Sequence, residues 1–308
     1  MSNQLPVINL MGPTASGKTA LACQLYEQGN FELISVDSAL VFKDMDIGTA
    51  KPSQEIRNQL PHHLVDIISP LENYNAARFV TDCTRLIQEI SQRGRLALIL
   101  GGSMMYYHAL IYGLNKLPPA NAVLRQQLAE KKRIIGLSGL YQELLKIDPF
   151  TAKRLPASDT QRIERALEVY YLTGKPISTL RLMPTKSSCN WPTLALVPMQ
   201  KAQLHPIIAQ RFHRMLREGV IDEVKQLKSC YPTLNLDYPS LRCVGYRQIW
   251  QYLSGELSKN VMIDKAIIAT CQLAKRQLTW LRKITIDEIL RPDDLKRNLQ
   301  RLMCRLEK

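Results

Sequence analysis

The segment Gly12–Thr19 constrains this chain more than any other, because it reads GPTASGKT and fills every fixed position of the pattern G-x-x-x-x-G-K-[ST]. The apolar run Leu5–Met11 before it is typical of a buried strand, and Ala20–Tyr26 after it is typical of a helix. A strand, a glycine loop and a helix are the context in which such a loop wraps a phosphate group. An accidental glycine turn is the alternative, and the flanking elements argue against it.

The loop offers three kinds of phosphate ligand. Its glycines let successive backbone N–H groups face an anion, to which the helix N-terminus adds a partial positive charge. Lys18 brings a full charge, and the Thr19 hydroxyl is placed to bind Mg²⁺. The predicted phosphate-binding residues are Gly12, Pro13, Thr14, Ala15, Ser16, Gly17, Lys18 and Thr19.

Three more apolar runs read as strands: Glu32–Val36, Leu96–Leu100 and Thr193–Val197. Apolar strands separated by helices predict an α/β fold, a phosphate-loop kinase-like parallel sheet with helices on both faces. Ligands of such sheets gather at the carboxyl ends of the strands. Asp37 with Ser38, and Gly101–Ser103, follow two of these strands, so we expect them to share one crevice with the phosphate loop.

The middle of the chain has a different texture. Residues 117–191 are polar and helical in pattern and are bounded by prolines, which predicts a helical insertion. Residues 1–116 and 192–308 then form the core that carries the phosphate loop and the C-terminal helices, which is the candidate catalytic domain. A helix through Ile208 and Leu216 should stop near Gly219, and a long helix over Val261–Lys283 should be basic in its second half.

The chain has 41 Lys and Arg residues and 27 Asp and Glu residues, which gives a net charge of +14. This excess of positive charge favours a polyanionic partner such as nucleic acid. Evenly spread charge would indicate only solubility. The basic residues cluster at Arg162/Arg165, Arg211/Arg214, Arg242/Arg247 and Lys275/Arg276/Arg282/Lys283.

In the last cluster, Arg276, Trp280 and Lys283 share a helical face that could follow a phosphate backbone while the ring stacks on a base. The alternative is a solvated face with Trp280 in the core.

Composition also bears on location. The seven cysteines are odd in number and none forms a C-x-x-C pair, which predicts reduced thiols in the cytoplasm. We expect no signal peptide at the N-terminus. The apolar window Leu96–Tyr112 is broken by glycines, so we expect no membrane partner.

Asp37 has three uses that the sequence leaves open: to bind Mg²⁺, to act as a general base, or to cap the following turn. The chain has no Asn-Lys-x-Asp motif for reading guanine and no relay of acidic residues for activating water. The loop could instead hold the diphosphate of a substrate that loses it.

Seven ordered segments carry a resemblance over nearly the whole chain: Gly12–Thr19, Ile34–Leu40, Asp46–Pro52, Pro61–Asp66, Gln161–Glu168, Arg242–Gln248 and Leu273–Trp280. With these segments the chain resembles the tRNA dimethylallyltransferase family, also called tRNA isopentenyltransferases, of bacterial type.

The resemblance implies transfer of a dimethylallyl group from dimethylallyl diphosphate to N6 of the adenosine at tRNA position 37, just 3′ of the anticodon. The phosphate loop would hold the diphosphate, and Lys18, Thr19 with Mg²⁺, and Arg211 would stabilise its charge. Asp37 would accept the N6 proton. We expect a monomer that flips the target base out of the anticodon stem-loop while the insertion and the basic helices grip the tRNA.

The resemblance also implies the tRNA contacts. These are Asp37, Ser38, Ala39, Leu40, Ser103, Arg125, Gln161, Arg162, Ile163, Glu164, Arg165, Arg242, Cys243, Val244, Gly245, Tyr246, Arg247, Lys275, Arg276, Gln277, Trp280 and Arg282.

Three residues depart from the family pattern. Ser103 replaces a Thr, Phe42 a Tyr and Cys271 an Arg. They put RNA affinity and fine positioning in question more than the type of reaction.

Three rival functions remain: an adenylate isopentenyltransferase that forms a cytokinin, a nucleotide kinase of the same fold, and an RNA-binding protein gated by ATP without catalysis. The intact segments near Gln161–Arg165 and Lys275–Arg282 argue against the first, because a free nucleotide needs no grip on tRNA.

Overall fold

The computed structural model describes residues 7–28, 30–180, 191–198 and 204–292, together with 294, 297, 300 and 301. Leu5 and Pro6 of the predicted first strand, residues 181–190 of the predicted insertion and most of the basic tail lie outside the described residues.

The strands are β1 (Val7–Met11), β2 (Phe31–Val36), β3 (His62–His63), β4 (Leu96–Gly101), β5 (Thr193–Leu196) and β6 (Glu288–Leu290). The helices are α1 (Lys18–Gln28), α2 (Gln54–Gln59), α3 (Ala76–Gln92), α4 (Met104–Tyr112), α5 (Ala122–Ile147), α6 (Pro149–Arg154), α7 (Thr160–Thr173), α8 (Ile177–Leu180), α9 (Leu204–Arg217), α10 (Val220–Cys230), α11 (Tyr246–Leu253) and α12 (Lys259–Leu281).

In the described part of the chain, the strands form one parallel sheet in the order β3-β2-β4-β1-β5-β6. Every residue of β1 and β2 is buried, as expected of strands covered on both faces. Within the buried sheet, Asn9 Nδ2 donates to Thr193 Oγ1 at 3.2 Å, which ties β1 to β5. The predicted α/β parallel sheet is confirmed, with a strand at each of the four predicted places.

The two strands at the edges of the sheet, β3 and β6, are not predicted by the sequence. They have two and three residues, too few to carry a recognisable apolar pattern. The helix through Ile208 is α9, which ends at Arg217 before Gly219, as predicted. The predicted helix over Val261–Lys283 is α12, which is shorter at its C-terminus.

The contacts divide the chain into two compact units, residues 1–109 with 189–308 and residues 110–188. The first contains the sheet, and the insertion predicted from the sequence spans residues 117–191. The second has its own apolar core on α5 and α7, with Leu140, Leu144, Ile163 and Leu167 fully buried. Its helix α5 bends at Gly136, whose φ is +71°.

Among the described residues, no helix combines the length and the apolar character that crossing a membrane requires.

Candidate active site

The three segments predicted to share a crevice follow β1, β2 and β4, whose carboxyl ends lie side by side in the sheet. The Ser103 backbone N–H donates to Val36 O at 3.0 Å, and Ser103 Oγ accepts from the Ser38 N–H at 3.0 Å. These bonds join the turn after β2 to the turn after β4. A glycine is needed at position 101, because a Cβ there would lie 2.1 Å from Val36 O.

The phosphate loop ends where α1 begins, at Lys18. Ala15 and Gly17 both have positive φ, +62° and +85°, which curls the loop. The Lys18 ammonium donates to Pro13 O at 2.6 Å and so folds back over the loop. The strand before the loop and the helix after it are those predicted from the sequence.

Lys18, Asp37 and Arg211 form one charged cluster. Burial lowers the pKa of Lys18 to about 8, against the opposing effect of the Asp37 charge and with a further lowering by Arg211. Burial raises the pKa of Asp37, although the Ala39 N–H and the charge of Lys18 act in the other direction. Burial likewise lowers the pKa of Arg211. The cluster therefore combines a carboxylate of raised proton affinity with two cations.

Asp37 also serves the local fold. Its Oδ1 accepts the Ala39 backbone N–H at 2.8 Å, which closes a tight turn after β2. Capping was one of its three possible uses, and it accounts for this bond. The same carboxylate lies close enough to Lys18 and Arg211 to interact with their charges.

Arg211 comes from α9, and its Nη2 lies 3.5 Å from Thr49 O. The segment before Thr49 is held by the Glu223 carboxylate, which accepts the backbone N–H groups of residues 46, 47 and 48 at 2.9, 2.6 and 3.1 Å. The Tyr246 hydroxyl donates to the same carboxylate at 2.5 Å. Gly48 is required there, because a Cβ would lie 2.5 Å from the Tyr246 ring. No local sequence pattern marked Glu223.

Gln277, which was predicted to contact tRNA, has a buried side chain. Its Oε1 accepts the Thr14 backbone N–H at 2.8 Å, and its Nε2 donates to Gly102 O at 2.9 Å. It thus joins the phosphate loop to the turn after β4. The sequence carried a signal for this, since Ala274, Gln277, Leu278 and Leu281 repeat at helical spacing and are all buried.

Ile163 and Tyr246 were also predicted to contact tRNA, and both side chains are buried. Ile163 lies on the inner face of α7 in the core of the second unit. Tyr246 is turned toward Glu223 at the start of α11. Apolar and aromatic side chains on an inner helical face add to the core, so neither side chain is open to solvent.

Two of the predicted arginines are engaged within the second unit. Arg125 Nε and Arg165 Nη1 bond to the Glu168 carboxylate at 2.8 and 2.6 Å, and Arg165 Nη2 also donates to Pro118 O at 2.6 Å. Burial alone would raise the pKa of Glu168, but hydrogen bonds from the two arginines lower it. Glu164 bonds to Lys132 at 2.7 Å.

The other predicted contact residues differ in exposure. The exposed ones are Ser38, Gln161, Arg162, Arg242, Arg247, Lys275, Arg276 and Arg282. Partly buried are Ala39, Leu40, Ser103, Cys243 and Val244, while Gly245 is buried. Burial raises the pKa of the Cys243 thiol to about 12, and the charge of Asp37 adds to that shift. Cys243 therefore belongs to the surroundings of Asp37.

The sequence left open whether Trp280 is exposed for stacking on a base or lies in the core, and its burial in the structure is intermediate. It is partly buried, with its ring centroid 5.8 Å from that of His108 in an edge-on arrangement. The Lys283 ammonium lies 4.8 Å from the Trp280 ring centroid. Lys283 follows the end of α12, so this cation reaches the ring from the turn beyond the helix.

The three departures from the family pattern have different surroundings. Phe42 is almost fully buried, where a phenyl ring needs no polar partner. Ser103 keeps the hydroxyl that bonds to Ser38. Cys271 is partly buried on α12.

A magnesium ion at this site would need ligands from the substrate as well as from the protein. Within the described ranges, His, Cys, Asp and Glu side chains form no group of three that could hold a metal ion. Mg²⁺ commonly binds through one or two protein oxygens, several waters and substrate phosphates. Thr19, exposed in the first turn of α1, fits that mode.

Comparisons with known proteins agree on one family. The model of the IPP transferase family matches residues 40–284. The tRNA dimethylallyltransferase of Neisseria meningitidis is 56% identical over 285 residues, 92% of this chain and 91% of the relative.

Two solved structures are similar over most of the chain. The tRNA isopentenylpyrophosphate transferase of Bacillus halodurans has 32% identity and a TM-score of 0.71, covering 99% of this chain and 97% of that one. A eukaryotic dimethylallyltransferase acting on tRNA has 28% identity and a TM-score of 0.76, covering 94% and 74%.

Proposed function

The chain belongs to the IPP transferase family, and from that premise we propose that it transfers a dimethylallyl group from dimethylallyl diphosphate to N6 of the adenosine at position 37 of tRNA. The observation that carries the proposal is the cluster of Lys18, Asp37 and Arg211 beside the phosphate loop. It combines an anion site with a carboxylate of raised pKa.

The leaving group explains the cations. As the allylic C–O bond breaks, negative charge accumulates on the diphosphate and positive charge spreads over the allyl group. Loop N–H groups, Lys18 and Arg211 are preorganised donors for the diphosphate, and such donors lower the barrier. Bound Mg²⁺, held by Thr19 and the substrate phosphates, would neutralise further charge on the leaving group.

The Asp37 carboxylate suits the chemistry of the acceptor nitrogen, N6 of adenosine. The N6 lone pair of adenosine is delocalised into the purine ring, so N6 becomes acidic only as the C–N bond forms. Asp37 then takes the N6 proton while the diphosphate departs. Its raised pKa brings its proton affinity closer to that needed at neutral pH.

The exposed basic residues support a nucleic-acid substrate. Lys275, Arg276 and Arg282 lie open to solvent on or next to α12, in the unit that contains the cluster. Exposed cations of this kind hold RNA phosphates. The anticodon stem-loop as the recognised part, and a monomeric cytoplasmic protein, are the finer parts of the proposal.

A labelling experiment tests the function. The protein is incubated with labelled dimethylallyl diphosphate and unmodified tRNA, with AMP in place of tRNA, and with ATP in place of the prenyl donor. We expect label in tRNA alone. The matched control is the same tRNA with guanosine at position 37, which should take no label. Rapid ATP hydrolysis without prenyl transfer would refute the proposal, and label in AMP would indicate a cytokinin-forming enzyme.

A further inference from the structure

Gln277 reaches the phosphate loop from α12, far away in the sequence. Its carboxamide accepts from the Thr14 N–H and donates to Gly102 O, at 2.8 and 2.9 Å. Both groups of the amide are therefore engaged, each with a different segment of the crevice. The side chain is 9% exposed, so water competes little with these bonds.

The space around the amide is closed. A Cβ added at Gly102 would lie 2.5 Å from Gln277 Nε2 and 3.3 Å from Gly12 O. The phosphate loop, the turn after β4 and the Gln277 amide are thus packed against one another. A displaced amide would leave the Thr14 N–H and Gly102 O without these partners in a partly buried place, a loss that favours a changed loop.

The bond to Thr14 bears on anion binding. It directs one amide at the beginning of the loop toward α12, which fixes the direction of the chain entering the curl at Ala15 and Gly17. An anion site made of backbone N–H groups works only if their directions are set before the ligand arrives. Gln277 supplies that constraint from outside the loop.

We propose that Gln277 is a positioning residue for the diphosphate site and does not contact tRNA. It acts by holding the Thr14 N–H and Gly102 O in place, so that the rest of the phosphate loop meets the diphosphate in a preset conformation. The identity of the ligand rests on the proposed function, whereas the positioning itself rests on the two hydrogen bonds.

The test variant is Gln277→Met, which is similar in size, uncharged and unable to form either bond. Its control is Gln272→Met, at an exposed position of the same helix. Calorimetry with inorganic diphosphate and Mg²⁺ should show about tenfold weaker binding for Gln277→Met and no change for Gln272→Met. Binding of unmodified tRNA in the absence of diphosphate should equal that of the wild type for both variants.

The proposal would be overturned by unchanged diphosphate binding, by a loss confined to tRNA, which would make Gln277 an RNA contact, or by equal losses for both ligands, which would indicate general destabilisation. Steady-state kinetics adds a second readout, since KM should rise for dimethylallyl diphosphate and not for tRNA.

A second variant disturbs the hydrogen bond between Gln277 Nε2 and Gly102 O by a change at Gly102. Gly102→Ala should displace the Gln277 amide, because its Cβ would approach Nε2 too closely. Its effect on diphosphate affinity should not add to that of Gln277→Met, since both variants take the same amide out of its place. Full additivity would contradict the proposal. The diphosphate-binding measurements need no prenyl transfer, so a wild-type protein that binds diphosphate without transferring a prenyl group would refute the proposed function and leave these measurements valid.

Discussion

At the scale of single residues, the site depends on groups whose charges are costly to hold. Burial lowers the pKa of Lys18 and raises the pKa of Asp37, and each change favours the neutral form of the group. The attraction between the two charges opposes both changes. Such opposed shifts are typical of functional sites, where proton affinity is matched to a task.

Asp37→Asn should reduce single-turnover prenyl transfer by orders of magnitude, because an amide cannot take the N6 proton. The variant keeps a side-chain oxygen to accept the Ala39 N–H, so the turn after β2 should persist. Affinity for tRNA should remain near that of the wild type in a filter-binding measurement. A loss of affinity as large as the loss of rate would assign Asp37 a structural role.

The lowered pKa of Lys18 predicts that diphosphate binding depends on pH. Its pKa of about 8 means that the ammonium is present below pH 8 and is lost above it. A bound diphosphate raises that pKa, so binding above pH 8 requires proton uptake. Affinity should therefore fall as pH rises, by up to about tenfold for each unit above pH 8.

Titration calorimetry in buffers of different ionisation enthalpy measures the proton uptake. Lys18→Met removes the titrating group and cancels the ligand's own titration from the comparison. If this variant shows the same pH dependence as the wild type, another group is responsible.

At the scale of elements, α12 has two different faces. Ala274 and Gln277 lie on the buried face, and Lys275 and Arg276 on the exposed one. A sequence pattern predicts such an amphipathic helix, and the basic stretch indicates an anionic partner. The pattern does not say which polar residue points into the core. A buried glutamine is tolerated only where hydrogen-bond partners are present for both the oxygen and the nitrogen of its amide.

Lys275→Ala tests the exposed face. If Lys275 contacts a tRNA phosphate, binding should weaken, and the slope of log affinity against log salt should decrease in magnitude by about one. Lys265→Ala is the matched control, an exposed lysine earlier on the same helix that was not predicted to contact tRNA. Equal slopes for wild type and Lys275→Ala would remove Lys275 from the contact set.

At the scale of the whole molecule, the chain forms two units with separate cores. In the second unit, Glu168 is 1% exposed and bonds to Arg125 and Arg165. Removing its charge should destabilise this unit by about 2–3 kcal/mol, less than for a fully buried pair because Arg125 is half exposed.

Hydrogen exchange measures this effect unit by unit. Glu168→Gln should speed amide exchange in α5 and α7 and leave β1 and β4 unchanged. Glu130→Gln is the control, since Glu130 is exposed and pairs with Arg133 on the surface of the same unit. Equal acceleration throughout the sheet would show that the two units unfold together.

The sequence by itself determined the parallel α/β sheet, the phosphate loop and the family, because apolar runs and a glycine motif act over short stretches of chain. The meeting of the phosphate loop, Asp37 and Ser103 also followed, since strand ends in a parallel sheet share one edge.

Only the tertiary structure decided what Gln277, Glu223, Ile163 and Tyr246 do. Each contacts groups far away in the sequence or lies in a core assembled from several helices. Their roles depend on the direction of a side chain relative to distant neighbours, and a local pattern does not contain that direction.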